Sequence, residues 1–109
     1  MPTFRDEGAF GYAVARPWMT VFGEPVYKTP FQKAAAIAEA IARGHPFNDG
    51  NHRTALYAAH LVLGLHGMML VAPDHEQRDL IRGLGSGDVN MGDFTTWLER
   101  RCVMRSRAN

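Results

Sequence analysis

Apolar and polar positions follow helical rather than strand periodicity along most of this chain. The clearest segment opens at Thr29, a capping residue followed by Pro30 at the first helical position. Gln32 stands where a capping box places its return bond. Ala34, Ile37, Ala38 and Ile41 then recur at i, i+3, i+4 and i+7, a stripe for burial, and Gly44 closes the segment. A second helix is predicted from Asn51 to His66, ended by Gly67. Its Ala55, Leu56, Ala58, Ala59, Leu61, Val62, Leu63 and Leu65 are apolar nearly all round, the pattern of a central helix rather than a surface one. Asp74 and Gln77 repeat the capping-box spacing before Leu80, Ile81 and Leu84, and Gly83, Gly85 and Gly87 break that helix. Asn90 caps a last helix with Met91, Phe94, Leu98 and Cys102 on one side. Near the start, Asp6 to Ala15 reads as a shorter helix, weakened by Gly8 and Gly11 and stopped before Pro17.

The pattern changes between Trp18 and Lys28. Thr20, Val21 and Phe22, then Gly23, Glu24 and Pro25, then Val26 and Tyr27 predict an extended flap or short hairpin. The expected fold is all-α: five helices in a compact bundle with one extended excursion. At 109 residues the chain suits one domain, 1–109, and not two. Apolar residues at 46% and charged residues at 21% exclude wholesale disorder. Twelve Lys and Arg against eleven Asp and Glu leave +1, too little for binding nucleic acid through its phosphate backbone. The single Cys102 excludes an internal disulfide framework. His66 interrupts the best apolar run, Leu61 to Leu70, and Met1 to Glu7 is no signal peptide. A soluble, cytoplasmic domain with no membrane partner is expected.

One segment stands apart: His45, Pro46, Phe47, Asn48, Asp49, Gly50, Asn51, His52 and Arg53. It places a base, a carboxylate, an amide and a guanidinium in a short loop between two predicted helices. The loop delivers them to a helix N-terminus, where free N–H groups and the dipole make an anion site. Arg53, one turn in, can give two parallel hydrogen bonds to phosphate oxygens. Asp49 offers a hard oxygen to Mg²⁺, which takes one or two protein carboxylates beside substrate phosphates. His45 can take a proton from an attacking hydroxyl. Together these are the parts of phosphoryl or nucleotidyl transfer. Residue types alone fit equally a well-made turn, with Asp49 or Asn51 capping the next helix. A zinc triad of His45, Asp49 and His52 is also conceivable, although the Asn- and Gly-rich loop without a nearby Cys argues against it.

The order of these residues resembles the Fic and Doc (Fido) signature His-Pro-Phe-x-Asp/Glu-Gly-Asn-Gly-Arg, matched at every position except His52. The resemblance extends to Arg43-Gly44 and Thr54-Ala55-Leu56, and upstream to Arg5-Asp6, Ala15-Arg16-Pro17 and Phe22-Gly23-Glu24, like the death-on-curing (Doc) branch. It implies a compact helical fold whose loop binds ATP with Mg²⁺ and modifies a protein hydroxyl. His45 would be the general base and Phe47 a core anchor. Asp49 would hold Mg²⁺, Gly50 and Asn51 would line the anion hole, and Arg53 would grip phosphate. The flap, Thr20, Val21, Phe22, Gly23 and Glu24 onward to Tyr27, would align the target by strand addition. The adenylylating branch has glycine at position 52 and a second arginine at position 56, where this chain has His52 and Leu56. The Doc branch commonly has lysine at 52 and no second arginine. It implies transfer of the terminal phosphate of ATP to a Ser or Thr of a protein such as a translation factor, restrained by a small antitoxin. AMP transfer is the runner-up; a non-catalytic binding module is the opposing class. Doc-like chains also carry a further N-terminal helix before Arg5-Asp6, whose absence is expected to leave apolar surface for a partner.

The remaining residues have plainer readings. His60 suits a satisfied core position and His66 a helix-end cation. Trp18 is assigned to the flap core. Arg100, Arg101, Arg105 and Arg107 fit a frayed helix end with favourable dipole charge. Thr95 to Glu99 has the spacing of the inhibitory Ser/Thr-x-x-x-Glu helix of Fic-type enzymes. Arg100 stands in the Gly/Asn position, however, and Phe94, Trp97 and Leu98 mark a core helix.

Overall fold

The computed structural model of the chain describes residues 3–105. The expected lack of a signal at Met1 to Glu7 therefore lies partly outside the described residues, and Arg107 wholly so. Five α-helices form the body: α1 (Glu7–Ala15), α2 (Pro30–Gly44), α3 (Asn51–Leu65), α4 (Asp74–Ser86) and α5 (Met91–Arg101). A 3₁₀ turn, Arg16–Trp18, follows α1 and leads to a hairpin of β1 (Thr20–Val21) and β2 (Glu24–Pro25). A second antiparallel pair joins β3 (Met68–Leu70) to β4 (Cys102–Met104), with Met69 opposite Val103. No helix among the described residues is long and apolar enough to cross a membrane.

Local chemistry explains most boundaries. Asp6 caps α1 by accepting from the Ala9 N–H at 3.0 Å. Thr29 and Gln32 form the full capping box of α2. Asn90 accepts from the Asp93 N–H at 2.8 Å and starts α5. α2 is the hub. Its Ala34, Ala35, Ala38, Ile41 and Ala42 are buried against Ala55, Ala59 and Leu63 of α3, Ile81 and Leu84 of α4, and Phe94 and Leu98 of α5. A nearly buried Arg16–Glu39 ion pair at 2.8 Å ties the turn after α1 to the same helix.

Several expectations need correction. α3 is not buried all round: Ala55, Ala59, Val62 and Leu63 face the core, while Leu61 and Leu65 are each 72% exposed. Gly44 is the last helical residue of α2, and the left-handed cap is His45, at φ 47°. Asp74 does not cap α4. Pro73 stands at that position, and Gln77 turns inward to meet His60 Nε2 at 3.0 Å and donate to the Ala72 carbonyl. His60 is thereby the satisfied half-buried histidine expected. Gly83 and Gly85 lie within α4, and Gly87 is its left-handed cap. Trp18 is about half exposed, edging His66 with ring centroids 6.2 Å apart, and is no core residue. Cys102 belongs to β4, not to the helix, so the chain after Arg101 is a paired strand rather than a frayed helix end.

Glu76 carries the second ion pair, to Arg101 at 2.8 Å, and also accepts from Trp97 Nε1 at 2.6 Å. The Trp97 N–H first, then Arg101, holds its carboxyl below the usual range. A carboxyl lowered in the folded state stabilises most at neutral pH, and its contribution disappears as pH falls through the lowered value. Glu76→Gln should therefore lower Tm at pH 7 and narrow the gap to wild type in acid, read by thermal melts across pH. Burial also raises the Cys102 thiol to about 11. The thiol should react slowly with iodoacetamide at pH 8 until the fold is opened with denaturant.

Candidate active site

The six-residue loop 45–50 joins the end of α2 to the start of α3. Pro46 disfavours right-handed helical geometry at the residue before it, and His45 turns left-handed instead, a conformation histidine tolerates better than most residues. Arg5 reaches across from the N-terminal segment to clamp this corner. Its Nε donates to the His45 carbonyl at 2.7 Å and its Nη2 to the Gly44 carbonyl at 2.8 Å. These are orphan carbonyls at a helix C-terminus, where a guanidinium is doubly favourable. The Arg5 and Asp6 N–H groups both donate to the Pro46 carbonyl.

Phe47 is the buried end of the loop. It stacks on Phe4 at 5.3 Å and meets Phe10 at 5.4 Å, an aromatic anchor that fixes the loop to the first helix. Asn51 pins it from the other side. Its Oδ1 accepts from the Phe47 N–H at 3.0 Å and its Nδ2 donates to the Phe47 carbonyl at 2.9 Å. The Asn51 side chain is thus engaged with the loop itself, and what it turns outward is its backbone N–H.

Neither Asp49 nor Asn51 caps α3. Gly50 occupies the cap position at φ 76°, which needs glycine for its conformation and not for space, since an added Cβ would meet nothing within 4 Å. Glycine has no side-chain oxygen to offer. The first-turn N–H groups of Asn51, His52 and Arg53 are therefore left without a capping side chain, unlike those of α1, α2 and α5. Asp49 accepts from the Gly50 N–H at 2.8 Å through Oδ1 and is exposed, its other oxygen open.

Two hollows meet at these residues. One, of about 370 Å³, lies between the start of α3 and α4, lined by Asp49, Gly50, His52, Arg53 and Leu56. The other, of about 550 Å³, is lined by Thr3, Asn48, Thr54 and Tyr57 and shares Asp49, Gly50 and Arg53 with the first. The His45 ring lines neither hollow but stands edge-on to His52, which lines the first, with centroids 6.3 Å apart. His45, Asp49, Gly50, Asn51, His52 and Arg53 are thus brought together. Thr20, Val21, Phe22, Gly23 and Glu24 are not: they form an exposed hairpin that lines neither hollow, with Phe22 fully exposed at φ 51°. No three His, Cys, Asp or Glu side chains converge as a metal-ligand set among the described residues, which disposes of the zinc triad. An uncapped helix end beside one open carboxylate does fit a metal that arrives with phosphates.

Sequence reasoning missed the far wall of the first hollow, formed by Arg78 and Arg82 of α4. Their spacing of four marks one helix face, but nothing local told that this face looks toward Asp49 rather than solvent.

An uncapped helix start, a pinned loop and an adjacent histidine pair make up the candidate site. A family model described as Fic/DOC family matches residues 2–63, and the chain belongs to that family. Its relatives place it on the Doc branch. It is 39% identical over 96 residues to the protein named Toxin Doc of Mycolicibacterium smegmatis, covering 86% of this chain and 74% of that one. It is 33% identical over 100 residues to Protein kinase doc of Escherichia phage P1, covering 92% of this chain and 78% of that one.

Asn51→Ala would strand both polar groups of the Phe47 backbone. The expected loss is about 1–3 kcal/mol, read by denaturant titration. Asn51→Asp, which keeps the acceptor alone, should fall between Ala and wild type.

Proposed function

We propose that this chain is a Doc-like toxin that transfers the terminal phosphate of ATP to a Ser or Thr hydroxyl of a target protein such as a translation factor. The observation that carries the reading is the uncapped start of α3, with Arg53 and Asp49 beside it and the His45 ring 6.3 Å from that of His52. The unpaired N–H groups and Arg53 bind phosphate oxygens, and Asp49 would hold Mg²⁺, which when bound would supply positive charge against the phosphates. His45 accepts the proton of the attacking hydroxyl. The new bond joins that oxygen to the terminal phosphorus, the bridging P–O bond breaks, and ADP leaves with the electron pair. Two hollows that share Asp49, Gly50 and Arg53 suit two reactants meeting at the same residues.

Transfer of AMP is the second reading. Leu56 weighs against it, because it packs on the core and brings no charge into the hollow. The flap, Thr20 to Glu24, offers a free strand edge for the target chain. A small antitoxin protein is the proposed restraint, supported by the exposed apolar row Leu61, Leu65 and Met69 beside a hollow of about 720 Å³.

Mass spectrometry of a lysate treated with the protein and ATP–Mg²⁺ tests the reaction. A target peptide heavier by one phosphate supports the reading; one heavier by AMP overturns it. Wild type and His45→Ala that are equally toxic to growing cells would point to the non-catalytic module. Arg53→Ala and Asp49→Ala should abolish transfer while changing stability by no more than about 0.5 kcal/mol, the scale of an exposed substitution that removes no cap. His52→Lys should keep transfer, since a longer cation still reaches the phosphates, whereas His52→Gly should weaken it.

A further inference from the structure

α4 is held unusually close to the phosphate-binding end of α3. Arg43, in the last turn of α2, donates from Nε to the Leu84 carbonyl at 2.9 Å and so fixes the end of α4. Gly85 leaves little room for a side chain: an added Cβ would lie 3.1 Å from the Ala42 carbonyl oxygen and 3.1 Å from His52 Nε2, so these neighbours would have to give by a few tenths of an ångström. Close packing at these points turns one face of α4 toward the loop, and Arg78 and Arg82, one turn apart, line the hollow opposite Asp49 and Arg53. The ion pairs among the described residues are Arg16–Glu39 and Arg101–Glu76, so no carboxylate neutralises either arginine or Arg53. Three guanidiniums face one carboxylate, Asp49, across a floor of Leu56 and Ile81. Such an excess of planar, bidentate donors calls for a ligand with several negative oxygens.

We infer that Arg78 and Arg82 complete the binding wall for the polyphosphate of the nucleotide, which lies between the start of α3 and α4. The inference rests on the nucleotide reading above and extends it to residues outside the signature loop. The hollow, at about 370 Å³, has the size of a small-molecule site rather than of a peptide groove. It also shares Gly50 and Asn51 with the uncapped helix start, so α4 and the α3 dipole act on the same anion. Arg53 grips from one side and the α4 pair from the other. Two more guanidiniums favour tri- and diphosphates over monophosphates, because each additional phosphate brings oxygens within their reach.

Calorimetric titration of the full chain with adenosine, AMP, ADP and ATP, each with Mg²⁺, tests this. The variants are Arg78→Gln, Arg82→Gln, their combination, Arg82→Lys and, as a reference, Arg53→Gln. Both α4 arginines are exposed, so thermal melts should stay near wild type. Each Gln variant should weaken ATP about tenfold, the scale of one charge-assisted contact. The loss should grow from AMP to ATP and be absent for adenosine, and Arg82→Lys should recover part of it. Unchanged ATP affinity in the double variant, with Arg53→Gln still losing it, overturns this inference and leaves the nucleotide reading standing. Equal losses for adenosine and ATP overturn it too, as does a defect confined to the KM for the protein target, which would assign the arginines to an acidic peptide. A wild-type protein that binds none of the four ligands overturns both readings.

Discussion

The alanine seam between α2 and α3 is the constraint on which the rest depends. Ala34, Ala35, Ala38 and Ala42 on one helix and Ala55 and Ala59 on the other are fully buried, and side chains this small let two backbones approach closely. With the helices held together, the six residues joining them have little freedom. The loop must turn at once, which it does through left-handed His45 and left-handed Gly50, one at each corner. Phe47 fills the gap between, wedged on Phe4 and Phe10. A larger residue at Ala42 would press on α4, because the Ala42 Cβ lies 3.4 Å from where a Cβ on Gly85 would stand.

Helix capping shows where stability has been set aside. α1, α2 and α5 each begin with a side-chain oxygen bonded to a backbone N–H; α4 begins after Pro73 without one, and α3, the helix at the centre of the candidate site, begins with glycine. A Ser, Asp or Asn at that position typically stabilises a helix by about 1 kcal/mol. It would also occupy the N–H groups that an anion needs. The same conflict explains why Asn51 bonds to Phe47 rather than to its own helix: the loop is held rigid without consuming the donors.

Much of this was legible in the sequence because its causes are local. The Thr29–Gln32 capping box, the Asn90 cap and the signature His45 to Arg53 are short-range statements, and each appears in the structure where the residues stand. What was missed depends on distant partners. β3 and β4 are three-residue strands separated by two helices, so no alternation of useful length announces their pairing, and Cys102 reads naturally as one more helical position. α3 looked central because Leu61 and Leu65 are apolar, yet burial is decided by neighbours, and α2, α4 and β3 cover only part of it. Asp74 and Gln77 have capping spacing, but His60 and the Ala72 carbonyl compete for Gln77 and win it. Arg78 and Arg82 look like a solvated charge pattern until α4 is docked.

The pose of His45 shows how far such coupling reaches. Its backbone is left-handed, a conformation that costs free energy for any residue with a Cβ and persists only when the surroundings impose it. Pro46 imposes it from one side by penalising the helical alternative. Arg5, forty residues upstream, imposes it from the other, since its guanidinium binds the Gly44 and His45 carbonyls together and fixes the plane of the peptide between them. The direction of the Cα–Cβ bond from which the imidazole departs follows from that plane. The Arg5 and Asp6 N–H groups on the Pro46 carbonyl add a second tether, so the N-terminal segment acts as a strap across the corner. The proton acceptor proposed for this site would have to be held to within a fraction of an ångström to be useful. On this chain that precision comes from a residue that lines neither hollow, which is why Arg5-Asp6 and the signature loop, separate in sequence, form one structural unit.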